Sequence, residues 1–123
     1  MTFCQNITLD FFYNSCVVEV AMKICSKYQN DVLYIELVGE MDEHNASLAR
    51  READKLADDF CSSKQAVFDL KEVSFMDSTG IGFLIGRYKK FRRYGVPVYV
   101  TNPSQSTDKI LSVSGVYSLI PRV

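Results

Sequence analysis

Asp77, Ser78 and Thr79 set a carboxylate and two hydroxyls in a row, with glycines at 80, 82 and 86 close behind. A serine beside a carboxylate can act as a nucleophile, sit in a phosphate-binding loop or cap a helix, and its neighbours decide which. A nucleophile needs a base within reach to take its proton. The only histidine, His44, lies in the Glu40 to Asn45 loop, and no Gly-x-Ser-x-Gly surrounds Ser78, so a Ser–His hydrolase is poorly supported. Gly80-Ile81-Gly82 followed by Gly86 misses the dinucleotide-binding spacing by one residue, and no phosphate-cradling P-loop occurs elsewhere. The motif presents a side chain and does not assemble a catalyst.

The elements that must position this motif are a strand before it and a helix after it. Ala66-Val67-Phe68-Asp69-Leu70 is a short apolar run, and Val73 and Phe75 follow across an expected turn. Ile81, Leu84, Ile85, Tyr88 and Phe91 recur at helical spacing, which predicts an apolar stripe against a core and a helix running to about Tyr94. The hydroxyls then sit at a strand-to-helix corner, where Asp77 and Ser78 are both able N-caps. A glycine in a helix interior is about 0.8–1 kcal/mol less favourable than alanine. Any one of Gly80, Gly82 and Gly86 could relieve crowding against the protein's own sheet, but three beside two hydroxyls favour a contact surface.

Elsewhere, Thr2 to Asn14 is aromatic-rich without a clean period, and alternation places the first strand within Val20 to Tyr28. Gln29-Asn30-Asp31 signals a turn into a second strand, Val32 to Val38, that Gly39 ends. Asn45 reads as the cap of an amphipathic helix with Ala49, Ala53, Leu56 and Phe60 inward and the i,i+4 pairs Arg50–Asp54 and Lys55–Asp59 outward. A strand at Val98 to Val100, a helix from Ser104 to Ser114 stopped by Gly115, and a last strand at Val116 to Ile120 complete an α/β sandwich, a mixed β-sheet with helices packed on it. Arg87, Lys89, Lys90, Arg92 and Arg93 read as a solvated cationic end of the Ser78 helix.

At 123 residues the chain is one domain, long enough for a single core. A net charge of −1 gives no whole-molecule attraction to nucleic acid or anionic membrane, and no apolar run approaches the length of a membrane span. Cysteines at 4, 16, 25 and 61 show no metal-ligand spacing, and with no leader pattern they read as reduced thiols of a cytoplasmic protein. No catalytic residue, cofactor or metal is expected.

The block Phe75-Met76-Asp77-Ser78-Thr79-Gly80-Ile81-Gly82-Phe83-Leu84-Ile85-Gly86-Arg87-Tyr88-Lys89 resembles the phosphorylation segment of bacterial anti-sigma factor antagonists of the STAS domain type, most of all the sporulation anti-sigma-F antagonists. Val38-Gly39-Glu40-Met41-Asp42-Glu43-His44-Asn45-Ala46 is similar to the family's Gly-Glu-Leu-Asp loop, and Asn102-Pro103-Ser104 to Ser114-Gly115-Val116 agrees in order and spacing. The resemblance spans 22–123 and implies a STAS fold there, with 1–21 an extension of unknown role, expected to be dispensable for folding and partner binding. It implies a protein that binds an anti-sigma factor, itself a serine kinase, when unphosphorylated, so that the sigma factor is released. Phosphorylation of Ser78 would switch it off, and a serine phosphatase would reset it. The partner-binding residues so implied are Glu40, Asp42, Asp77, Ser78, Thr79, Gly80, Ile81 and Gly82, with Thr79 where the family usually has serine. The alternative is a STAS regulatory subunit of another complex, a transporter or a stress-signalling assembly.

Overall fold

The structure is a computed structural model that describes residues 13–19 and 22–123, with side chains from 22 onward. Its elements run β1 (Tyr13–Glu19), β2 (Met22–Gln29), β3 (Val32–Met41), α1 (Glu43–Asp59), β4 (Gln65–Met76), α2 (Ser78–Arg93), β5 (Val98–Thr101) and α3 (Gln105–Ser114), then a 3-10 turn at Val116–Ser118. The five strands lie side by side in chain order. β1, β2 and β3 pair antiparallel, while β3–β4 and β4–β5 pair parallel through helical crossovers, so the sheet is mixed as expected.

The β2–β3 turn follows from its residues: Gln29 pairs with Val32, and Asn30 and Asp31 between them hold φ of 54° and 66°. Both central residues of such a two-residue hairpin must be left-handed, which Asn and Asp tolerate best. Along β2 and β3 burial alternates strictly, with Met22, Ile24, Ser26 and Tyr28 and then Leu33, Ile35 and Leu37 facing the helices. Phe68 of β4 meets the rings of Phe83 and Phe91 edge-on at 6.0 and 6.5 Å, which seats α2 on the sheet. Ala46, Ala49, Ala53 and Ala57 give α1 a buried stripe of small side chains.

Several sequence expectations change. A strand, β1, precedes the first one expected and pairs antiparallel with β2. The second strand does not end at Gly39; it runs to Met41 with register shifts against β4 and Gly39 at φ 115°. β4 likewise continues through Lys71 and Glu72 without the expected turn, because pairing to β3 carries it on. Asp42, not Asn45, caps α1: Asn45 is buried, and its Nδ2 donates to the Glu40 carbonyl at 3.0 Å. Val116 to Ile120 is not a strand: it opens with the 3-10 turn, and one isolated bridge, between Val100 and Arg122, lies just beyond it. Cys25 and Cys61 are disulfide-bonded and not the reduced thiols expected. Cys4 and Cys16, the other two in that expectation, have side chains outside the described residues. Among the described residues no helix is long and apolar enough to cross a membrane.

The inward stripe of α2 is also rotated from the expected one. Gly80, Phe83, Leu84, Arg87 and Phe91 are buried, while Ile81, Ile85 and Tyr88 are half-buried against the core. Arg87, expected in solvent, has a side chain 8% exposed and sits 2.8 Å from Asp54 of α1. Burial lowers its pKa below the ordinary value, and Asp54 opposes that shift. The pair is close but imperfectly aligned, since Arg87 Nε and Nη1 and Asp54 Oδ1 have no directed hydrogen bond among the described residues. One turn on, Lys90 reaches Asp58 at 3.1 Å, so Asp54 and Asp58 of α1 serve α2.

Removing one member of a buried pair strands the other charge, whereas replacing both members with apolar side chains of similar volume is near neutral. Asp54→Ala should therefore destabilise the domain by about 2–4 kcal/mol, discounted for the partial exposure of Asp54, and the double replacement Asp54→Leu with Arg87→Met by no more than about 1 kcal/mol. Urea unfolding of both variants checks this; equal losses would show that the charge pair is not what joins α1 to α2.

Candidate functional site

Because β3 and β4 are parallel neighbours, they end together, with Glu40 opposite Phe75 and Met41 opposite Met76. Each strand passes through a Met-Asp pair into a helix, Met41-Asp42 into α1 and Met76-Asp77 into α2. Asp42 Oδ1 accepts from the Asn45 N–H at 3.1 Å, and Asp77 Oδ1 accepts from the Thr79 N–H at 2.9 Å. Two helix N-termini thus lie side by side at the carboxyl edge of the sheet, each with one first-turn donor satisfied by its own aspartate and a positive dipole end facing outward.

Ser78 is the first residue of α2, one past the cap, and is exposed. This separates the two capping candidates: Asp77 caps, and Ser78 is left with a free-standing hydroxyl. Thr79, half-buried, spends its backbone N–H on the cap. Gly80 N–H and Ile81 N–H donate to the Asp77 carbonyl at 3.0 and 3.2 Å, closing the first turn. Glu40 is exposed at the end of β3, Asp42 is half-buried, Ile81 is half-buried and Gly82 is exposed. The implied partner-binding residues are therefore brought to one edge, with one exception.

That exception is Gly80. It is buried, and a Cβ placed there would lie 2.5 Å from Met76 Cγ and 2.9 Å from Met41 Cγ. Its missing side chain relieves crowding inside the fold, where two strand-end methionines meet the first turn of α2. At Gly82 and Gly86 a Cβ would meet nothing within 4 Å, so only these two keep the outer surface low.

Phe75 is a surface residue that the sequence did not single out. Read only as following the apolar run across a turn, it is 49% exposed, opposite Glu40 and three residues before Ser78. The register shifts in β3–β4 pairing break the alternation, so that Val73 and Met76 go in while Ser74 and Phe75 face out. An exposed aromatic ring beside a hydroxyl and a flat glycine surface has the character of an interface anchor. No local signal distinguishes it from a core phenylalanine. Among the described residues no group of three or more His, Cys, Asp or Glu side chains is placed to hold a metal.

Residues 23–123 match the family model of the STAS domain. An anti-sigma F factor antagonist of Paenibacillus polymyxa is 30% identical over 100 residues, covering 81% of this chain and 85% of that protein. The solved structure of the anti-sigma factor antagonist SpoIIAA in its unphosphorylated form shares the fold with a TM-score of 0.62 at 19% identity, over 90% of this chain and 88% of that one. The Bacillus cell fate determinant SpoIIAA in its phosphorylated form gives a TM-score of 0.57 at 20% identity, over 90% and 91%.

The two glycines of the corner should respond oppositely to a methyl group. Gly80→Ala forces Met76 or Met41 to move and should cost about 1–3 kcal/mol, as overpacked cores do. Gly82→Ala enters open space on a helix and should be neutral or stabilising by up to about 1 kcal/mol. Chemical unfolding of the two variants decides it, and similar effects at both positions would refute the packing role of Gly80.

Proposed function

Because the chain belongs to the STAS domain family and to its anti-sigma factor antagonists, we propose that it switches an anti-sigma factor through the phosphorylation state of Ser78. Proteins of this kind are regulators and not enzymes, and this chain is one of them. The bare protein binds an anti-sigma factor that is also a serine kinase, and the sigma factor is released. The kinase transfers the γ-phosphoryl group of ATP to Ser78 Oγ, ADP leaves, and the hydroxyl proton goes to a base of the kinase. A serine phosphatase restores the hydroxyl by hydrolysis.

The observation that carries this reading is the placement of Ser78 one residue past the cap, exposed, with its hydroxyl not used for capping. A phosphoserine brings about −1.5 to −2 charge at neutral pH. At the head of α2 that charge faces a positive dipole end, so the fold tolerates it. Across an interface it lies beside Asp77 and must be desolvated against a partner shaped for a bare hydroxyl over Gly82, with Phe75, Glu40 and Ile81 around it. The same group is thus harmless to the domain and unfavourable to the complex.

The proposal places the protein in the cytoplasm with its target, in the partner-switching control of a sigma factor such as that of sporulation.

Incubation with the cognate kinase and ATP, followed by intact-mass analysis and peptide mapping, should give one phosphate on Ser78. Ser78→Ala should take no phosphate and still bind, whereas Ser78→Asp should bind about 2–5 kcal/mol more weakly, the scale for an imperfectly paired buried charge. Phosphate on Thr79, or unchanged binding of the phosphorylated protein, would refute the switch.

A further inference from the structure

Cys61 follows the cap of α1 and is 3% exposed, and its sulfur is bonded to another cysteine. The chain has three others, at 4, 16 and 25, and geometry removes two of them. The neighbouring Phe60 stacks on the Tyr28 ring at 4.8 Å, on the side of the sheet that the helices cover. Cys25 is half-buried on the opposite face: it lies between the inward Ile24 and Ser26 and lines a cavity of about 220 Å3 with Lys27, Tyr34, Glu36 and Asp69. Three residues of strand, about 10 Å, also separate it from Tyr28, whereas bonded cysteines have Cα atoms within about 7 Å. Cys61 therefore does not pair with Cys25.

The register of the first hairpin accounts for Cys25. β1 and β2 set position 16 directly opposite position 25, and residues so placed share a face of the sheet with Cβ atoms about 4.5–5.5 Å apart. Position 16 is thus the partner that the register supplies, and it is turned away from Cys61 by the same argument as Cys25. Cys4, in the segment outside the described residues, is left for Cys61. The lengths agree. Tyr13, where β1 begins, is opposite Tyr28, whose ring rests on Phe60. The loop after α1 is held at that same end of the sheet, where Lys64 N–H donates to the Asp31 carbonyl at 2.7 Å. About nine residues lie between Cys4 and Tyr13, a reach of up to about 30 Å.

We propose that the chain carries two disulfides, Cys16–Cys25 within the β1–β2 hairpin and Cys4–Cys61, and that the second is a redox-set clasp fastening residues 1–12 to the end of α1. Two thiols give up two electrons and two protons as the S–S bond forms, and a small-molecule disulfide takes them up. The Cys4 thiolate attacks one of its sulfurs and a thiol leaves; the Cys61 thiolate then displaces the second thiol from the mixed disulfide. A small dithiol runs the same exchange backwards. In a reducing compartment disulfides are transient or redox-sensing, so there the clasp closes only under oxidising conditions. Closing a loop from 4 to 61 restricts the unfolded chain and stabilises the folded one. The segment before β1 is then held in one redox state and released in the other. Cys61 lies just before the start of β4 and Ser78 just beyond its end, so the clasp works apart from the Ser78 corner and does not depend on that reading.

The test takes the full chain oxidised with oxidised glutathione, alkylated, and cut without reduction by chymotrypsin, which cleaves at Phe11, Phe12 and Tyr13 between Cys4 and Cys16. Mass spectrometry should find two linked pairs, 4 with 61 and 16 with 25. Cys4→Ser should keep the 16–25 link, lower the melting temperature of the oxidised chain by roughly 10 °C, and match the parent chain once dithiothreitol is present. Any other pairing, Cys61 recovered as an alkylated thiol, or equal melting temperatures for the oxidised variant and parent would overturn the proposal. A disulfide-linked dimer on a non-reducing gel would also overturn it, by assigning Cys61 to a second copy of the chain.

Discussion

The contact of Gly80 with Met41 and Met76 holds the functional corner together. A Cβ at position 80 would lie within 3 Å of both methionine side chains, so the backbone of α2 rests directly on the paired ends of β3 and β4. Parallel pairing brings those ends level, and the two Met-Asp steps that follow turn each strand into a helix at the same height. The corner is consequently determined by core packing below it. Its outer residues, Phe75, Ser78 and Gly82, are fixed in place by contacts that none of them makes.

That arrangement suits a switch better than a catalyst. Two helix N-termini side by side form a region of positive potential, and each aspartate cap satisfies one donor without covering the surface. A negative group added at Ser78 meets a field already arranged to receive it, and no element needs to move. The information is then read by whatever protein must press against Ser78, because a charge tolerated in water is unfavourable against an apolar ring and a glycine surface. The clasp between α1 and α2 through Arg87–Asp54 and Lys90–Asp58 keeps the two helices in fixed relation beneath this face.

Features governed by residues adjacent in the chain were legible before the structure. The Asn30-Asp31 turn, the helix expected over Ser104 to Ser114 and its stop at Gly115 all follow from local conformational rules, and all appear as expected. Ser78 at a strand-to-helix corner was equally plain, as was the mixed sheet under helices. What escaped was decided by distant partners. Phe75 faces outward because β3 and β4 slip in register, Glu72 stays in a strand because Val38 of β3 pairs with it, and Arg87 is buried because Asp54 waits on another helix. The role of Gly80 was invisible for the same reason: its crowding partner Met41 is on a different strand. Asn45 looked like a cap by type, but the chain enters α1 three residues sooner, so its side chain serves the Glu40 carbonyl.

The central claim is that phosphate at Ser78 changes what the surface accepts while leaving the fold as it was. Hydrogen exchange of the bare and Ser78-phosphorylated domain, each without partner, tests it most directly. The account predicts equal protection across β3, β4 and the body of α2, with any change confined to the first turn of α2 and the adjoining Asp42 corner. Loss of protection spreading into Phe68, Leu70 or Leu84 would mean that phosphorylation acts by loosening the core, and would contradict it.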